Sequence, residues 1–145
     1  MEYDQLKLDQ QICFPVYAAS RLITKAYQPL LENLGLTYPQ YLVLMVLWET
    51  DSLSVNGIAE RLILNTNTIT PLLKRMEAHG LLERQRSSED ERRVIIKLTD
   101  KGTELRHKAA EVPIRLMEGF SGSDLSQNEI TALKETLLKM IELLK

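Results

Sequence analysis

Apolar side chains recur at three- and four-residue steps along most of the chain, and one short region breaks that rhythm. Over residues 11–34 the positions Val16, Ser20, Ile23, Tyr27, Leu30, Leu31 and Leu34 trace one stripe, the pattern of an amphipathic helix. Pro15 suits only its first turn. Gly35 then offers a stop, and Thr37 followed by Pro39 supplies a cap and an early proline for a second helix reaching about residue 49. Tyr41, Leu42, Leu44, Met45, Leu47 and Trp48 predict that this helix is largely buried. Ser54 can cap a short third helix containing Ile58, Ala59 and Leu62. After Leu64, the run Asn65-Thr66-Asn67-Thr68 opens a fourth helix that stops at Gly80. Two helices joined by a tight polar turn predict a helix-turn-helix.

Residues 81–86 and 93–98 read as strands, the second rich in β-branched Val94, Ile95 and Ile96. They flank the polar stretch Ser87-Ser88-Glu89-Asp90-Glu91, so a hairpin follows directly on the helix pair. Thr99 predicts the cap of a fifth helix to about residue 119, bent near Pro113. Residues 121–124 form a turn, and Ser126 with Glu129 makes a capping box for the last helix. The expected fold class is mainly α (α+β).

Composition narrows the function classes. A chain of 145 residues that is 44% hydrophobic, with 6 Gly and 5 Pro, has the material for one compact domain and is unlike a disordered or collagen-like chain. No apolar run is long enough for a membrane span, and Met-Glu-Tyr-Asp-Gln-Leu-Lys lacks the layout of a signal peptide, so the expected location is the cytoplasm. One cysteine, Cys13, forms no intrachain disulfide and supports no Cys-rich zinc site. With His79 and His107 it matches no metal-ligand spacing, and no cofactor motif is present.

The net charge of −2 is unlike that of a general polyanion binder, but the charge is uneven. Residues 1–60 carry 3 basic and 7 acidic side chains, residues 61–97 carry 8 and 5, and residues 98–145 carry 7 and 8. Only the middle is basic. In the fourth helix Ile69, Leu72, Leu73 and Met76 share one side, which turns Asn67, Thr70, Pro71 and Lys74 outward with Arg75 on the flank. Such a polar, cationic face is either an ordinary solvated surface or a reader of the major groove, where Asn and Lys bond base edges and Thr reaches a phosphate or a thymine methyl. The hairpin favours the second reading, because Arg84, Arg86, Arg92 and Arg93 lie on an extended ribbon suited to a narrow minor groove.

The segments Thr-Pro-Leu-Leu-Lys-Arg-Met-Glu at 70–77, Gly80-Leu81-Leu82, Arg84, Asp90-Glu-Arg92 and Leu98-Thr99-Asp-Lys-Gly102 resemble the winged-helix regulators of the multiple-antibiotic-resistance regulator (MarR) family. The resemblance implies a single MarR-type domain over residues 1–145. Its winged helix-turn-helix, with a two-stranded wing, covers about 37–99, and an all-helical dimerisation region draws on about 8–36 and 100–145. It further implies that the fourth helix is the recognition helix, with Asn65, Thr66, Asn67, Thr68, Thr70, Pro71, Lys74 and Arg75 at the DNA. Arg84, Arg86, Asp90 and Arg92 would serve from the wing, Arg92 in the minor groove. Where relatives often open this helix with Asp-Ser-Gly-Thr, this chain has Asn65-Thr66-Asn67-Thr68.

In the last helix Ile130, Leu133, Leu137, Ile141 and Leu144 form a seam for another helix, either within the chain or in a second copy. A twofold dimer would present two recognition helices to a palindromic operator in double-stranded DNA.

Cys13 admits two readings, a small buried hydrophobe or a reactive thiol. The second follows from its place at the start of the first helix, where unpaired N–H groups favour a thiolate. Tyr17, Tyr27, Tyr38 and Tyr41 lie in the same region, as core aromatics or as hydrogen-bond donors to sulfur. The segments Cys13-Phe-Pro-Val-Tyr17-Ala-Ala-Ser-Arg21, Thr24-Lys25, Tyr27, Pro29-Leu-Leu31 and Leu36-Thr-Tyr-Pro-Gln-Tyr-Leu42 resemble the single-cysteine organic hydroperoxide resistance regulators (OhrR), a branch of the same family. That resemblance implies a repressor in which Cys13 senses an organic hydroperoxide. Tyr27 and Tyr38 would bond the sulfur across the dimer interface with Tyr17 nearby, and a small thiol or a backbone nitrogen would capture the oxidised cysteine. Three other readings stay open on the residues alone: a regulator released by a small aromatic ligand, a broader redox-responsive global regulator, and a winged helix that binds only protein. A thiol peroxidase finds no support, since neither histidine stands near Cys13 in sequence.

Overall fold

The computed structural model describes residues 3–145; Met1 and Glu2, the head of the segment read for a leader, lie outside them. Two short 3-10 turns, Asp4–Leu6 and Leu8–Gln10, lead into helix α1, Cys13–Glu32. Helix α2 is Tyr38–Glu49, strand β1 Leu53–Ser54, helix α3 Val55–Leu62, helix α4 Thr66–Ala78, strands β2 Leu82–Arg86 and β3 Val94–Leu98, and helix α5 Asp100–Ala109. Helices α6, Val112–Glu118, and α7, Gln127–Leu144, complete the chain. Among the described residues, those up to Val112 form one compact unit and residues 113–145 another.

The helix ends follow local chemistry. Gly35 (φ +68) and Gly80 (φ +73) close α1 and α4 with the same pair of bonds. Leu36 N–H reaches Leu31 O and Gly35 N–H reaches Glu32 O; Leu81 and Gly80 repeat this on Met76 and Glu77. Thr37 and Gln40 form a capping box that brackets Pro39, and Ser54 Oγ accepts from Gly57 N–H at 3.0 Å. Between α3 and α4, Ile63 takes a left-handed conformation (φ 54, ψ 46), which a β-branched side chain resists.

Helix α2 runs through the core, with Tyr41, Val43, Leu44, Val46 and Leu47 buried against Ile58, Ile69, Leu72, Leu73, Met76 and Ile96. Burial on every side explains why its sequence shows little amphipathic period. The hairpin pairs Leu82 with Leu98, Arg84 with Ile96 and Arg86 with Val94. The sheet is three-stranded rather than two-stranded, because β1 pairs Leu53 with Ile96 and Ser54 with Ile95 in the order β1-β3-β2. A two-residue strand is too short to show a period in sequence.

One expected element is corrected. The single bent helix over residues 99–119 is two helices, α5 and α6, broken after Ala110. Pro113 has no N–H for the carbonyl of Ala109, and the chain restarts as α6 with Pro113 in its first turn, where the missing N–H costs little.

At the end of α5 nearest the hairpin the backbones are in very close contact. A Cβ placed on Gly102 would lie 2.0 Å from Leu81 O. Thr99 Oγ1 donates to Gly80 O at 2.6 Å and accepts from Gly102 N–H at 3.1 Å, and Trp48 Nε1–H donates to Gly102 O at 2.9 Å. These bonds set the root of the hairpin against the C-terminal end of α4.

Candidate nucleic-acid interface and thiol region

Helix α4 buries Ile69, Leu72, Leu73 and Met76, as its period predicts, and exposes Thr66, Asn67, Thr68, Pro71, Lys74 and Arg75. Asn65 precedes it and accepts Asn67 N–H on Oδ1 at 2.8 Å, so the Asn-Thr-Asn-Thr opening does cap the helix. Pro71 lies inside the helix and has no N–H, which leaves the carbonyl of Asn67 without its i+4 donor on the exposed face.

The hairpin tip is shaped by two side chains. Asp90 Oδ1 accepts Arg92 N–H at 3.0 Å, and Ser87 Oγ accepts Glu89 N–H at 3.2 Å. Ser87 N–H also bonds Arg93 O at 2.8 Å across the neck. Asp90 therefore orders the turn that presents Arg92, both residues being exposed. Arg86 is exposed at the end of β2. At the hairpin root, Arg84 N–H donates to Glu77 Oε1 at 3.0 Å, a bond that ties β2 to α4.

Between α4 and the hairpin lies a concavity of about 270 Å³. Of the residues expected at DNA it gathers Thr66, Thr70, Arg84, Arg92 and Arg93, and it adds Ser54 and Asn56. Asn56 escaped the sequence reading, since a polar residue in the first turn of a helix is too common to stand out. Asn67, Thr68, Lys74 and Arg75 sit on the outer face of α4 instead.

Cys13 is exposed at the first position of α1, preceded by Ile12, which offers no side-chain cap. Tyr17, one turn on, is 61% exposed and carries Arg21 Cζ 4.6 Å from its ring centroid. Tyr27 belongs to a different cluster, with ring centroids 4.9 Å from Tyr38 and 5.9 Å from Tyr41, and Trp48 stands 6.3 Å from Tyr41. Burial raises the pKa of all three phenols above the usual 10.0, with a smaller contribution at Tyr27 from Tyr38 and Tyr41 and at Tyr41 from Tyr38. At neutral pH they are hydrogen-bond donors.

Cys13 opens α1 and Tyr27 lies about four turns further along it, about 21 Å away at a rise of about 1.5 Å per residue. Within one chain they do not meet. Among the described residues no group of His, Cys, Asp or Glu is arranged to hold a metal ion, and no helix is long and apolar enough to cross a membrane.

A helix-turn-helix whose second helix shows a polar, cationic face beside an arginine-bearing hairpin defines a winged-helix DNA-binding protein. Known proteins agree. The family model described as transcriptional regulator SarA/Rot matches residues 25–109. The chain is 48% identical over 145 residues to the organic hydroperoxide resistance transcriptional regulator of Bacillus subtilis, covering 99% of this chain and 95% of the relative. It is 40% identical to the HTH-type transcriptional regulator MgrA of Staphylococcus aureus, covering 95% of this chain and 92% of that one. Among solved structures, reduced AbfR bound to DNA superposes with a TM-score of 0.80 at 37% identity, over 98% of this chain and 96% of that one. MarR from E. coli, at 21% identity and TM-score 0.73, over 90% of this chain and 96% of its own, shares the fold. The chain belongs to the SarA/Rot transcriptional regulators, winged-helix proteins of the MarR type. It is a DNA-binding regulator and not an enzyme.

Proposed function

We propose that the protein is a homodimeric repressor in the cytoplasm that binds a palindromic operator when reduced and leaves it when an organic hydroperoxide oxidises Cys13. The observation that carries this reading is the near full-length likeness to the Bacillus regulator, combined with a single cysteine that is exposed at the head of α1. In the reaction the Cys13 thiolate attacks the peroxide, the O–O bond breaks, and sulfenic acid and an alcohol form as the alkoxide takes a proton from water. With no second cysteine in the chain, a small thiol then condenses with the sulfenic acid to a mixed disulfide, releasing water.

Dimerisation supplies what one chain lacks. The 21 Å between Cys13 and Tyr27 leaves the phenols of Tyr27 and Tyr38 to reach a second copy's sulfur, with that copy's Tyr17 beside it. Support comes from uncovered apolar side chains on the helices assigned to this role: Ile12, Phe14, Val16 and Ile23 on or next to α1, and Leu133, Leu138 and Ile141 on α7. A bulky adduct on Cys13 disturbs that packing, and the two recognition helices lose the spacing the operator requires. Domain roles follow: residues 37–99 read DNA, and residues 8–36 with 100–145 join the subunits. Asn67, Thr68, Lys74 and Arg75 meet the major groove and Arg92 the minor groove, with Asp90 holding its turn.

The test is fluorescence anisotropy on the protein's own promoter fragment. Wild type binds when reduced, is released by one equivalent of hydroperoxide with a small thiol, and rebinds on reduction; Cys13→Ser stays bound throughout. Release of Cys13→Ser by peroxide would sink the cysteine mechanism.

A further inference from the structure

The concavity between α4 and the hairpin differs in chemistry from the convex reading face beside it. Three arginines, Arg84, Arg92 and Arg93, line it together with Ser54, Asn56, Thr66 and Thr70, and no Asp or Glu does. Arg84 is held by its backbone through Glu77, and its Nε is shielded from solvent and has no hydrogen-bond partner, alone in this among the described buried side-chain nitrogen and oxygen atoms. A buried N–H without an acceptor is costly unless an acceptor arrives, and a guanidinium edge matches two oxygens of a tetrahedral anion.

Placement identifies the source of that anion. When a recognition helix occupies the major groove and a wing the neighbouring minor groove, the sugar–phosphate strand dividing the two grooves must pass between helix and wing. That is where the concavity lies. Base edges are recessed within a duplex and cannot enter a pocket in the protein, whereas phosphates project from its surface.

We propose that the concavity seats one backbone phosphate of the bound DNA, with the Arg84 guanidinium and the Thr70 hydroxyl as its inner donors and Arg93 at its rim. Arg84, Thr70 and Asn56 then set the register of the protein on the duplex without reading sequence. This rests on the DNA-binding function and divides its residues into phosphate-holding and base-reading sets.

The test is a cycle between protein and DNA. Methylphosphonates, which remove one charge each, are placed singly along both strands of the promoter fragment, and affinity is measured for wild type, Arg84→Gln and Thr70→Val. One phosphate per half-site should matter about tenfold to wild type and little to Arg84→Gln, with Thr70→Val intermediate. Arg84→Gln should also weaken operator and unrelated DNA by the same factor and make the salt dependence shallower by about one phosphate. Retained melting temperatures show that the variants fold. A second arm follows the Arg84 Nε–H resonance, which should shift on adding DNA and stay unmoved by inorganic phosphate up to ~1 mM.

If every methylphosphonate costs wild type and both variants alike, the seat is wrong while DNA binding stands. If the resonance saturates with inorganic phosphate alone, the concavity is a free-anion site and the proposal fails. If reduced wild type binds no DNA, the proposed function and this seat fall together.

Discussion

Glu77 and Arg84 are joined by a 3.0 Å hydrogen bond from the Arg84 backbone N–H to Glu77 Oε1, which fixes the hairpin root to the last turn of α4. Helix and wing are thereby held at one spacing. Glu77→Ala should lower stability by about 1 kcal/mol in urea denaturation, while Glu77→Gln, which keeps an acceptor oxygen, should recover most of it. DNA affinity should fall with Glu77→Ala even at temperatures where the protein is fully folded.

Gly102 is required by space, since a Cβ there would meet Leu81 O at 2.0 Å. Gly102→Ala should cost about 3 kcal/mol, because the obstacle is backbone and cannot rotate away. The fluorescence of Trp48, whose Nε1–H bonds Gly102 O, should change in the same variant.

Ile63 turns the chain between α3 and α4 in a left-handed conformation while its side chain is 55% exposed. Ile63→Gly removes the steric strain and loses little burial, so thermal unfolding should show a gain of about 1 kcal/mol.

Tyr27, Tyr38 and Tyr41 have pKa values raised by burial, so the folded state holds their protons more tightly than the unfolded state. Their contribution is complete below pH 10 and is lost as pH rises through the folded-state values. Absorbance titration at alkaline pH should show three phenols ionising above 10.0. Tyr38→Phe should remove one of them and bring Tyr27 and Tyr41 partly back towards 10.0.

The helices were legible because each is written twice, in the spacing of its apolar residues and in the residues at its ends. Thr37, Ser54, Asn65, Thr99 and Ser126 all precede helices, and all five accept N–H bonds as single caps or capping boxes that depend only on neighbours. The hairpin was legible from β-branched residues beside a polar turn. The break at Pro113 was underestimated, because sequence marks where a proline stands but not whether flanking contacts carry a helix through it, as α1 carries Pro29 and α4 carries Pro71.

Local order, the buried face of each helix and the basic character of residues 61–97 follow from sequence alone, because capping and periodicity act over a few residues. Only tertiary structure decided that Leu53 and Ser54 pair with β3 and that Asn56 and Thr70 share a concavity with Arg84 and Arg93. Those relationships join residues up to about 40 positions apart, and chain packing sets them.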